Sequence, residues 1–364
     1  MVVKRLAFSD VRVGMIVAED IFSRDDQLII SQGTEVDEYI LNRLKQFSVR
    51  RIAIYIIDKV EEVEAPTAAN FPKTHYEKLR ASEEFINFSE EYTKVADEFK
   101  LQLNEIVSNN SETIDFGGLL SSVDSVLSKA PNAYHVFDML HNIKDFDDST
   151  YSHSLNVAML ANVLGKWLEL SEADIRCLTV SGMLHDVGKL LIPQEIITKP
   201  SRLTDEEFEV IKEHPARGYK LLKSKDVQEH VARVALMHHE KCDGSGYPMG
   251  IKGPQISDYA KMITIIDIYE AMTANRVYRR GMCPFEVIRL YEEEGFQKYD
   301  IKYLLTFLNG IANTYINNTV VLNDGRCGEI VMNNASILSR PIIRIANEFV
   351  DLSVNKQLKI VNIL

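Results

Sequence analysis

The sequence predicts a mainly α protein, with an all-helical central region, a small α+β module before it and a short β appendage after it. Residues 112–312 repeat apolar side chains at the three- and four-residue spacing of amphipathic helices. Short apolar runs of strand type are concentrated at the two ends of the chain. A chain of 364 residues can hold more than one domain, and we expect four segments, namely 1–60, 61–110, 111–312 and 313–364.

The first segment, residues 1–60, combines strand and helix signals. Two strands are expected at Met15–Ile21 and Gln27–Ser31, around a turn at Arg24–Asp26. Helical periodicity follows in Asp37–Phe47, and Arg51–Ile57 alternates as a strand. No group of residues in this module has the spacing of a catalytic site.

A linker and a long helix are expected in residues 61–110. The stretch 58–72 is acidic and contains prolines, which favours a linker. Residues 74–108 carry apolar positions near heptad spacing, and they predict either a connecting helix or the seam of a homodimer. Packing within the chain is the favoured interpretation, because the apolar stripe covers only about five turns.

The pattern changes again after residue 313. Short strands are predicted at Thr319–Leu322, Gly328–Met332, Ile342–Ile345 and Leu358–Val361, with a hairpin turn at Asn323–Gly325. We expect a small β region in residues 313–364.

Composition excludes several classes of function. The net charge of −12 argues against a surface for polymeric nucleic acid, so an anionic substrate would need basic residues concentrated in a pocket. No apolar run reaches the ~20 residues of a membrane span, and the polar N-terminus does not resemble a secretory signal. Four scattered cysteines do not indicate a disulfide framework, so we expect a cytoplasmic protein.

Six of the nine histidines lie between residues 153 and 239, and five of them, all except His230, form a pattern that is interleaved with and followed by aspartates. Imidazole and carboxylate groups together suit borderline divalent ions such as Fe, Mn or Zn. Asp267 interrupts the apolar helical run Met262–Tyr269, where a carboxylate is costly unless an ion compensates it. A single residue of this kind would be interpreted as a satisfied core residue. The full set predicts a metal centre: His153, His185, Asp186, His214, His238, His239 and Asp267.

Three motifs give this set a family resemblance. They are the run from His185 to Lys189 (HDVGK), the run from His238 to Pro248 (HHEKCDGSGYP), and Asp267 followed by Arg276–Arg279 (RVYR). The chain resembles the HD-GYP proteins of the HD superfamily of metal-dependent phosphohydrolases, over roughly residues 110–312. The resemblance implies an all-helical catalytic domain that hydrolyses cyclic di-GMP to pGpG, with GMP as a further product. It also implies a regulatory or docking role for the N-terminal module, with a GGDEF-type cyclase or another signalling protein as partner.

The resemblance implies roles for particular residues. One ion would be held by His153, His185, Asp186 and Asp267, and the other by His214, His238 and His239, with Asp186 bridging the two. Iron is the foremost expectation and manganese the alternative. A hydroxide bridging the ions would attack phosphorus, so no nucleophilic side chain is required.

Basic residues near the metal ligands are expected to bind the substrate phosphate. Lys189 lies four residues after His185, on the same face if the helix continues, and the family motif favours a catalytic role over a solvated lysine. Arg276 and Arg279 resemble substrate-phosphate residues, with surface ion pairs as the alternative.

Three further positions keep alternatives open. Tyr247 could support the edge of the site, stack on a base or contact a partner protein. Asp243 could protonate the leaving group or cap its loop, and Cys242 could be an extra ligand, although a loop cysteine is favoured. Members with three metals have Glu four residues before the first histidine. This chain has Ser149 there, a poor ligand, which predicts two ions; the alternative is that Asp148 supplies a carboxylate in place of the missing Glu and a third ion binds.

Three rival functions accompany the cyclic di-GMP phosphodiesterase. One is hydrolysis of another cyclic dinucleotide or nucleotide, because the ligands are shared and base selectivity cannot be read from the sequence. Another is a catalytically silent module that binds the nucleotide or docks a partner. The last is a diiron oxygenase, which Lys189 and the loop around Tyr247 disfavour.

Overall fold

The computed structural model describes residues 2–8, 11–12, 14–22, 28–34, 36, 40–41, 44–45, 49, 51–56, 75–108, 114–143, 150–199, 203–274 and 281–364. The chain divides into a compact N-terminal unit that ends at Pro72 and a larger unit that begins at Lys73. No helix in the described ranges has both the length and the apolar character of a membrane span.

The N-terminal unit contains five strands: β1 (Val2–Ala7), β2 (Ile16–Val17), β3 (Ile21–Phe22), β4 (Leu28–Ile30) and β5 (Arg51–Ile56). Strand β5 lies between β1 and β2 in an antiparallel sheet, and β3 pairs with β4. Apolar side chains from these strands and from Leu44 form a core of their own. Described residues 40–41 and 44–45 are helical, within the range where the sequence predicts a helix.

Two features of this unit differ from the prediction. The strand expected at Met15–Ile21 is broken into β2 and β3, and between them the Asp20 carboxylate accepts a hydrogen bond from the backbone N–H of Gln32 (2.6 Å). Strand β1 was not predicted, because its Lys4 and Arg5 break the apolar alternation and its pairing with β5 is a long-range contact.

The larger unit is predominantly helical, which confirms the predicted fold class. Its α-helices are α1 (His75–Arg80), α2 (Glu83–Val107), α3 (Phe116–Leu127), α4 (Ala133–Ile143), α5 (Thr150–Trp167), α6 (Glu172–Leu184), α7 (Gln194–Ile197), α8 (Asp205–Ile211), α9 (His214–Ser224), α10 (Glu229–Met237), α11 (Asp258–Thr273), α12 (Pro284–Leu290), α13 (Phe296–Lys298) and α14 (Ile301–Thr314). Short 3-10 turns occur at Val187–Leu191 and Gly253–Gln255, and a π turn occurs at Tyr291–Gly295.

The helical stretch predicted at 74–108 is divided into α1 and α2. Ser82 separates them, because its side chain accepts a hydrogen bond from the backbone N–H of Phe85 and caps the start of α2. The apolar face of α2 is buried in the core of this unit together with α3 and α5. Packing within the chain therefore accounts for the apolar stripe.

Helices α5 and α11 form the centre of the unit. Most side chains of both helices are buried, so neither helix presents a simple polar face. Gly182 on α6 allows close packing against α5, since a Cβ at this position would lie 2.8 Å from the Cα of Ala158. The polar side chains that α5 and α11 carry inside the core are the ones that form the candidate site.

The C-terminal residues form an antiparallel sheet in the order β10-β6-β7-β8-β9. Its strands are β6 (Thr319–Leu322), β7 (Cys327–Met332), β8 (Ile342–Ile345), β9 (Glu348–Asp351) and β10 (Ile360–Ile363). The turn after β6 has Gly325 at φ +87°, as its Asn-Asp-Gly sequence predicts. Strand β9 was missed, because its alternation is weak and its exposed side chains give little apolar signal.

Candidate metal centre

The seven predicted ligands come from five helices or helix ends of the larger unit. His153 lies in the first turns of α5, and Asp267 lies inside α11. The pair His185–Asp186 directly follows α6, His214 begins α9, and His238–His239 directly follows α10. The structure brings all seven side chains into one cluster.

The Asp186 carboxylate stands between two groups of histidines. Its Oδ2 lies 3.5 Å from the Nε2 atoms of both His153 and His185. Its Oδ1 lies 3.3 Å from Nε2 of His214 and 3.4 Å from Nε2 of His238. Each oxygen therefore faces a different group, which is the arrangement that a carboxylate bridging two ions requires.

Asp267 also reaches both groups, although the sequence assigns it to one ion. Its Oδ1 is 3.0 Å from His153 Nε2 and 3.8 Å from His185 Nε2. Its Oδ2 is 3.9 Å from His239 Nδ1. Two sets of ligand atoms are close enough to hold an ion, one from Asp186, His214, His238 and His239 and the other from His153, His185 and Asp186. Neither set, within the described part of the chain, includes Cys242.

Helix ends orient three of the histidines. The Nδ1 atoms of His185, His214 and His238 lie 2.7, 2.7 and 3.0 Å from the backbone carbonyl oxygens three residues earlier. These carbonyls lie in the last turns of α6, α8 and α10, where main-chain acceptors have no partner inside their own helix. In the neutral tautomer that donates from Nδ1, Nε2 carries no proton and is directed toward Asp186, as a metal ligand requires.

The geometry of these nitrogens fits bound cations. The Nε2 atoms of His214 and His238 are only 3.2 Å apart, and in the tautomers that donate from Nδ1 to the carbonyls both Nε2 atoms carry lone pairs. The two lone pairs would repel each other without a positive charge between them and Asp186. In addition, the buried His185 Nε2 and Asp186 Oδ1 have no hydrogen-bond partner of acceptable geometry. Metal coordination satisfies all four atoms.

The electrostatics of the cluster keep its carboxylates ionised. Burial raises the pKa of Asp186, but Lys189 and the surrounding histidines outweigh burial and hold this pKa well below its usual range. The pKa of Asp267 is likewise held well below its usual range, because His153 and His185 outweigh the effect of burial. These two ionised carboxylates supply the negative charge that attracts divalent ions.

The histidines differ in protonation. Burial lowers the pKa of His238 to about 4, so this imidazole is neutral at pH 7. Burial also lowers the pKa of His153, but Glu270 and Asp267 outweigh it and raise that pKa to about 10. Binding of an ion at His153 would therefore displace a proton.

Lys189 lies beside the cluster, but in a different secondary-structure element from the one that the sequence predicts. The prediction placed Lys189 on the face of His185 if the helix continued, but helix α6 ends at Leu184, and Lys189 lies in the 3-10 turn that follows. Its ammonium contacts the Asp186 carboxylate and remains one quarter exposed. Gly188 makes this turn possible, because a Cβ there would lie 2.0 Å from the carbonyl oxygen of His214.

The loop after His239 borders the open side of the cluster. The Tyr247 ring stacks on the His239 imidazole, with ring centres 4.6 Å apart. The buried Glu240 carboxylate holds the loop by accepting hydrogen bonds from the N–H groups of Met249 (2.7 Å) and Ile251 (3.1 Å). Asp243 accepts two hydrogen bonds from Ser245, which favours its loop-capping interpretation.

Some predicted positions lie outside the described residues. These are Arg276 and Arg279, together with Ser149 and its neighbour Asp148. Their expected roles stay predictions.

Two buried polar residues of the site were missed in the sequence. Glu270 accepts a hydrogen bond from His153 at 2.6 Å, and Asn156 donates a hydrogen bond to Glu270 at 2.9 Å. The signal was present for Glu270, because it lies three residues after Asp267 in the same apolar run. A second carboxylate on that face of a buried helix needs compensation as much as the first.

Comparison with known proteins gives a consistent family assignment. Residues 136–302 match the model of the HD domain. The chain is 33% identical over 235 residues to a cyclic di-GMP phosphodiesterase of Pseudomonas aeruginosa, in a match that covers 64% of this chain and 56% of that protein. It is 31% identical over 178 residues to a cyclic di-GMP phosphodiesterase of Thermotoga maritima, covering 48% of each chain.

A relative with a different named substrate matches at a similar level. The chain is 32% identical over 213 residues to the 3′3′-cGAMP-specific phosphodiesterase 1 of Vibrio cholerae, covering 58% of this chain and 46% of that protein. The chain thus spans about half the length of the curated relatives it matches. Together with the histidine and aspartate motifs, the domain match identifies residues 136–302 as an HD domain, in a chain that is similar to cyclic di-GMP phosphodiesterases.

Proposed function

We propose that the protein is a phosphodiesterase that hydrolyses cyclic di-GMP to linear pGpG. The observation that carries the proposal is the position of Asp186, whose two carboxylate oxygens face two separate histidine groups. The names of the relatives from Pseudomonas aeruginosa and Thermotoga maritima support cyclic di-GMP as the substrate. Further cleavage of pGpG would give GMP, which chromatography of the products would detect.

The cluster would hold two divalent transition-metal ions. His153, His185 and Asp267 would bind one ion, His214, His238 and His239 would bind the other, and Asp186 would bridge them. The mixed nitrogen and oxygen ligands favour iron, with manganese as the alternative. Such ions supply Lewis-acid stabilisation of phosphate oxygens and lower the pKa of water at the site.

The remaining residues would bind and orient the substrate. Lys189 would leave Asp186 when that carboxylate binds the ions, and its ammonium would then pair with a phosphate oxygen. Tyr247 stands at the partly exposed His239, where its ring could stack on a guanine base. Arg276 and Arg279 are proposed as further phosphate-binding residues.

The proposal is tested with protein purified anaerobically and analysed for metal. Equal concentrations of cyclic di-GMP, 3′3′-cGAMP and cyclic AMP are each incubated with the protein, and products are separated by chromatography. We expect about two ions per chain and formation of pGpG from cyclic di-GMP. Protein that retains no metal after reconstitution with iron or manganese would contradict the proposed centre.

A second candidate is a phosphodiesterase for 3′3′-cGAMP, favoured by the similarity to the Vibrio cholerae enzyme of that name. Faster turnover of 3′3′-cGAMP than of cyclic di-GMP would establish it. A metal-loaded protein that binds cyclic di-GMP without hydrolysing any of the three nucleotides would instead be a silent binding module. The presence of all seven ligands in one cluster argues against that outcome.

The partners and location of the protein stay predictions. A GGDEF-type cyclase or another signalling protein could dock at residues 1–60 or at the Tyr247 loop, and a homodimer and a cytoplasmic location are also predicted. Pull-down of a purified cyclase with full-length protein and with a Tyr247→Ala variant would test the loop as the docking site.

A further inference from the structure

His153 is held differently from the three histidines that donate to helix-end carbonyls. Its Nδ1 lies 2.6 Å from Oε2 of Glu270, a residue that is only 3% exposed. Its Nε2 faces Asp267 Oδ1 at 3.0 Å and Asp186 Oδ2 at 3.5 Å. A carboxylate behind an imidazole raises its basicity more than a carbonyl does, and it fixes the proton on the nitrogen that does not bind metal.

Glu270 is itself held by a chain of buried hydrogen bonds. Its second oxygen, Oε1, accepts from the Asn156 side-chain N–H at 2.9 Å. The carbonyl oxygen of the same Asn156 amide accepts from the Tyr92 hydroxyl, also at 2.9 Å and in a buried setting. The amide N–H of Asn156 thus faces Glu270, and the Tyr92 hydroxyl holds the carbonyl end of the same amide.

The surroundings strengthen these hydrogen bonds. Phe137, Leu140 and Tyr269 line the small cavity beside Asn156 and Glu270. Hydrogen bonds between polar groups gain strength in such a low-dielectric environment and polarise each other. Tyr92 belongs to α2, and it lies before the residues that match the HD-domain model, which begin at 136.

We infer that Tyr92, Asn156 and Glu270 form a positioning relay that sets the metal affinity of His153, and through which helix α2 acts on the metal centre. The relay rests on the proposed metal centre and does not depend on the identity of the substrate. Tyr92 and Asn156 would not touch the ion, and they would act by keeping the Glu270 carboxylate in line with His153 Nδ1. Helix α2 would thus be part of the functional domain.

The predicted effect of Glu270→Gln follows from proton positions. The glutamine keeps the shape of the side chain and one oxygen for Asn156, so its amide N–H groups would face His153 Nδ1. His153 would then accept at Nδ1 and carry its proton on Nε2, where it could not bind an ion. Loss of such an outer partner typically weakens metal binding about 10- to 100-fold.

The chain offers a matched control for Tyr92. Tyr151 of α5 donates its hydroxyl to the Asn104 side chain of α2 at 2.9 Å. Tyr92→Phe and Tyr151→Phe therefore each remove one tyrosine–asparagine hydrogen bond between the same two helices. Only Tyr92→Phe breaks the relay.

The experiment titrates metal-free full-length protein with Mn²⁺, using the electron paramagnetic resonance signal of free Mn²⁺ to measure binding. The unfolding temperature of each metal-free variant is measured in parallel. We expect Glu270→Gln to weaken one Mn²⁺-binding step about 10- to 100-fold and the other step much less. Tyr92→Phe should weaken the same step several-fold, whereas Tyr151→Phe should bind Mn²⁺ like the parent even if it unfolds at a lower temperature.

Three results would overturn the relay: unchanged Mn²⁺ binding in Glu270→Gln, equal weakening of both steps in that variant, or equal weakening in Tyr92→Phe and Tyr151→Phe. A parent protein that binds no Mn²⁺ would overturn the metal centre and the relay together. Because no nucleotide is present in the assay, a parent that binds Mn²⁺ but hydrolyses no cyclic di-GMP would contradict the proposed substrate alone.

Discussion

Among the described residues, the Asp186 side chain alone contacts both histidine groups and Lys189. It is 1% exposed, each of its oxygens faces a different histidine group, and Lys189 contacts the same carboxylate. An ionised carboxylate at this depth is tolerated only with compensating positive charge. The described residues offer Lys189 and the imidazoles for this purpose, and two divalent ions would supply it more completely.

We expect Asp186→Ala to abolish hydrolysis and to lower the content of both ions, since the substitution removes a ligand from each. Metal analysis and a cyclic di-GMP assay on the same preparation measure the two effects. Asp115→Ala is the matched control, because this aspartate caps α3 away from the metal cluster and should affect stability but leave metal content unchanged. Retention of both ions in Asp186→Ala would contradict the bridging role.

Lys189→Ala should separate metal binding from catalysis. The variant should keep about two ions and lose hydrolysis about 100-fold or more, because a cation directed at the substrate phosphate acts on the transition state. Lys199→Ala, which breaks an ion pair with Glu207 of helix α8, serves as the control and should hydrolyse normally. Full activity of Lys189→Ala would show that the lysine only neutralises Asp186.

The sequence identified all seven clustered ligands but missed their supports. Histidine and aspartate are rare enough in apolar helical runs to be recognised one by one. Asn156 and Tyr92 each have an ordinary structural role in such runs, and their function depends on a contact across 64 residues of chain. Spacing along one helix cannot reveal this kind of contact.

At the scale of elements, the sequence predicted what local periodicity encodes. The helical region and most of the C-terminal strands agree with the structure. The break at Ser82 and strands β1 and β9 were missed, because capping and strand pairing outweigh a weak local pattern. The 3-10 turn carrying Lys189 was missed because its residues are compatible with a continuing helix.

The loop after α10 depends on one glycine for its shape. A Cβ at Gly246 would lie 2.4 Å from the Cα of Glu240 and 2.5 Å from the carbonyl oxygen of His239, and neither backbone atom can move cheaply. Gly246→Ala should therefore displace the neighbouring Tyr247 from its stack on His239. We expect a clear loss of hydrolysis, seen mainly as a raised KM if Tyr247 stacks on a base.

Gly253→Ala provides the comparison within the same loop region. A Cβ at Gly253 would make ordinary contact with Cys242 at 3.4 Å, so this variant should retain the parental kcat and KM. Equal kinetics for Gly246→Ala and the parent would mean that the Tyr247 loop does not contribute to substrate binding.

At the scale of the whole molecule, the two units have separate cores. One core consists of residues from the N-terminal unit, and the other joins helices α1–α6, α9–α12 and α14 to the C-terminal sheet. All seven clustered ligands belong to the larger unit. Metal binding should therefore stabilise the larger unit specifically, since its ligands come from five helices or helix ends that separate on unfolding.

Calorimetry with and without Mn²⁺ tests this coupling between binding and folding. A ligand at 100 times its Kd stabilises the folded state by about 2.7 kcal/mol per site, which corresponds to a rise of roughly 5 °C in the unfolding temperature of a unit this large. We expect the unfolding temperature of the larger unit to rise by this amount for each bound ion. It should return to the metal-free value when a chelator removes the metal. Asp186→Ala should show almost no rise, because each ion has lost a ligand. A rise of equal size in Asp186→Ala and the parent would mean that Mn²⁺ stabilises the protein from another site.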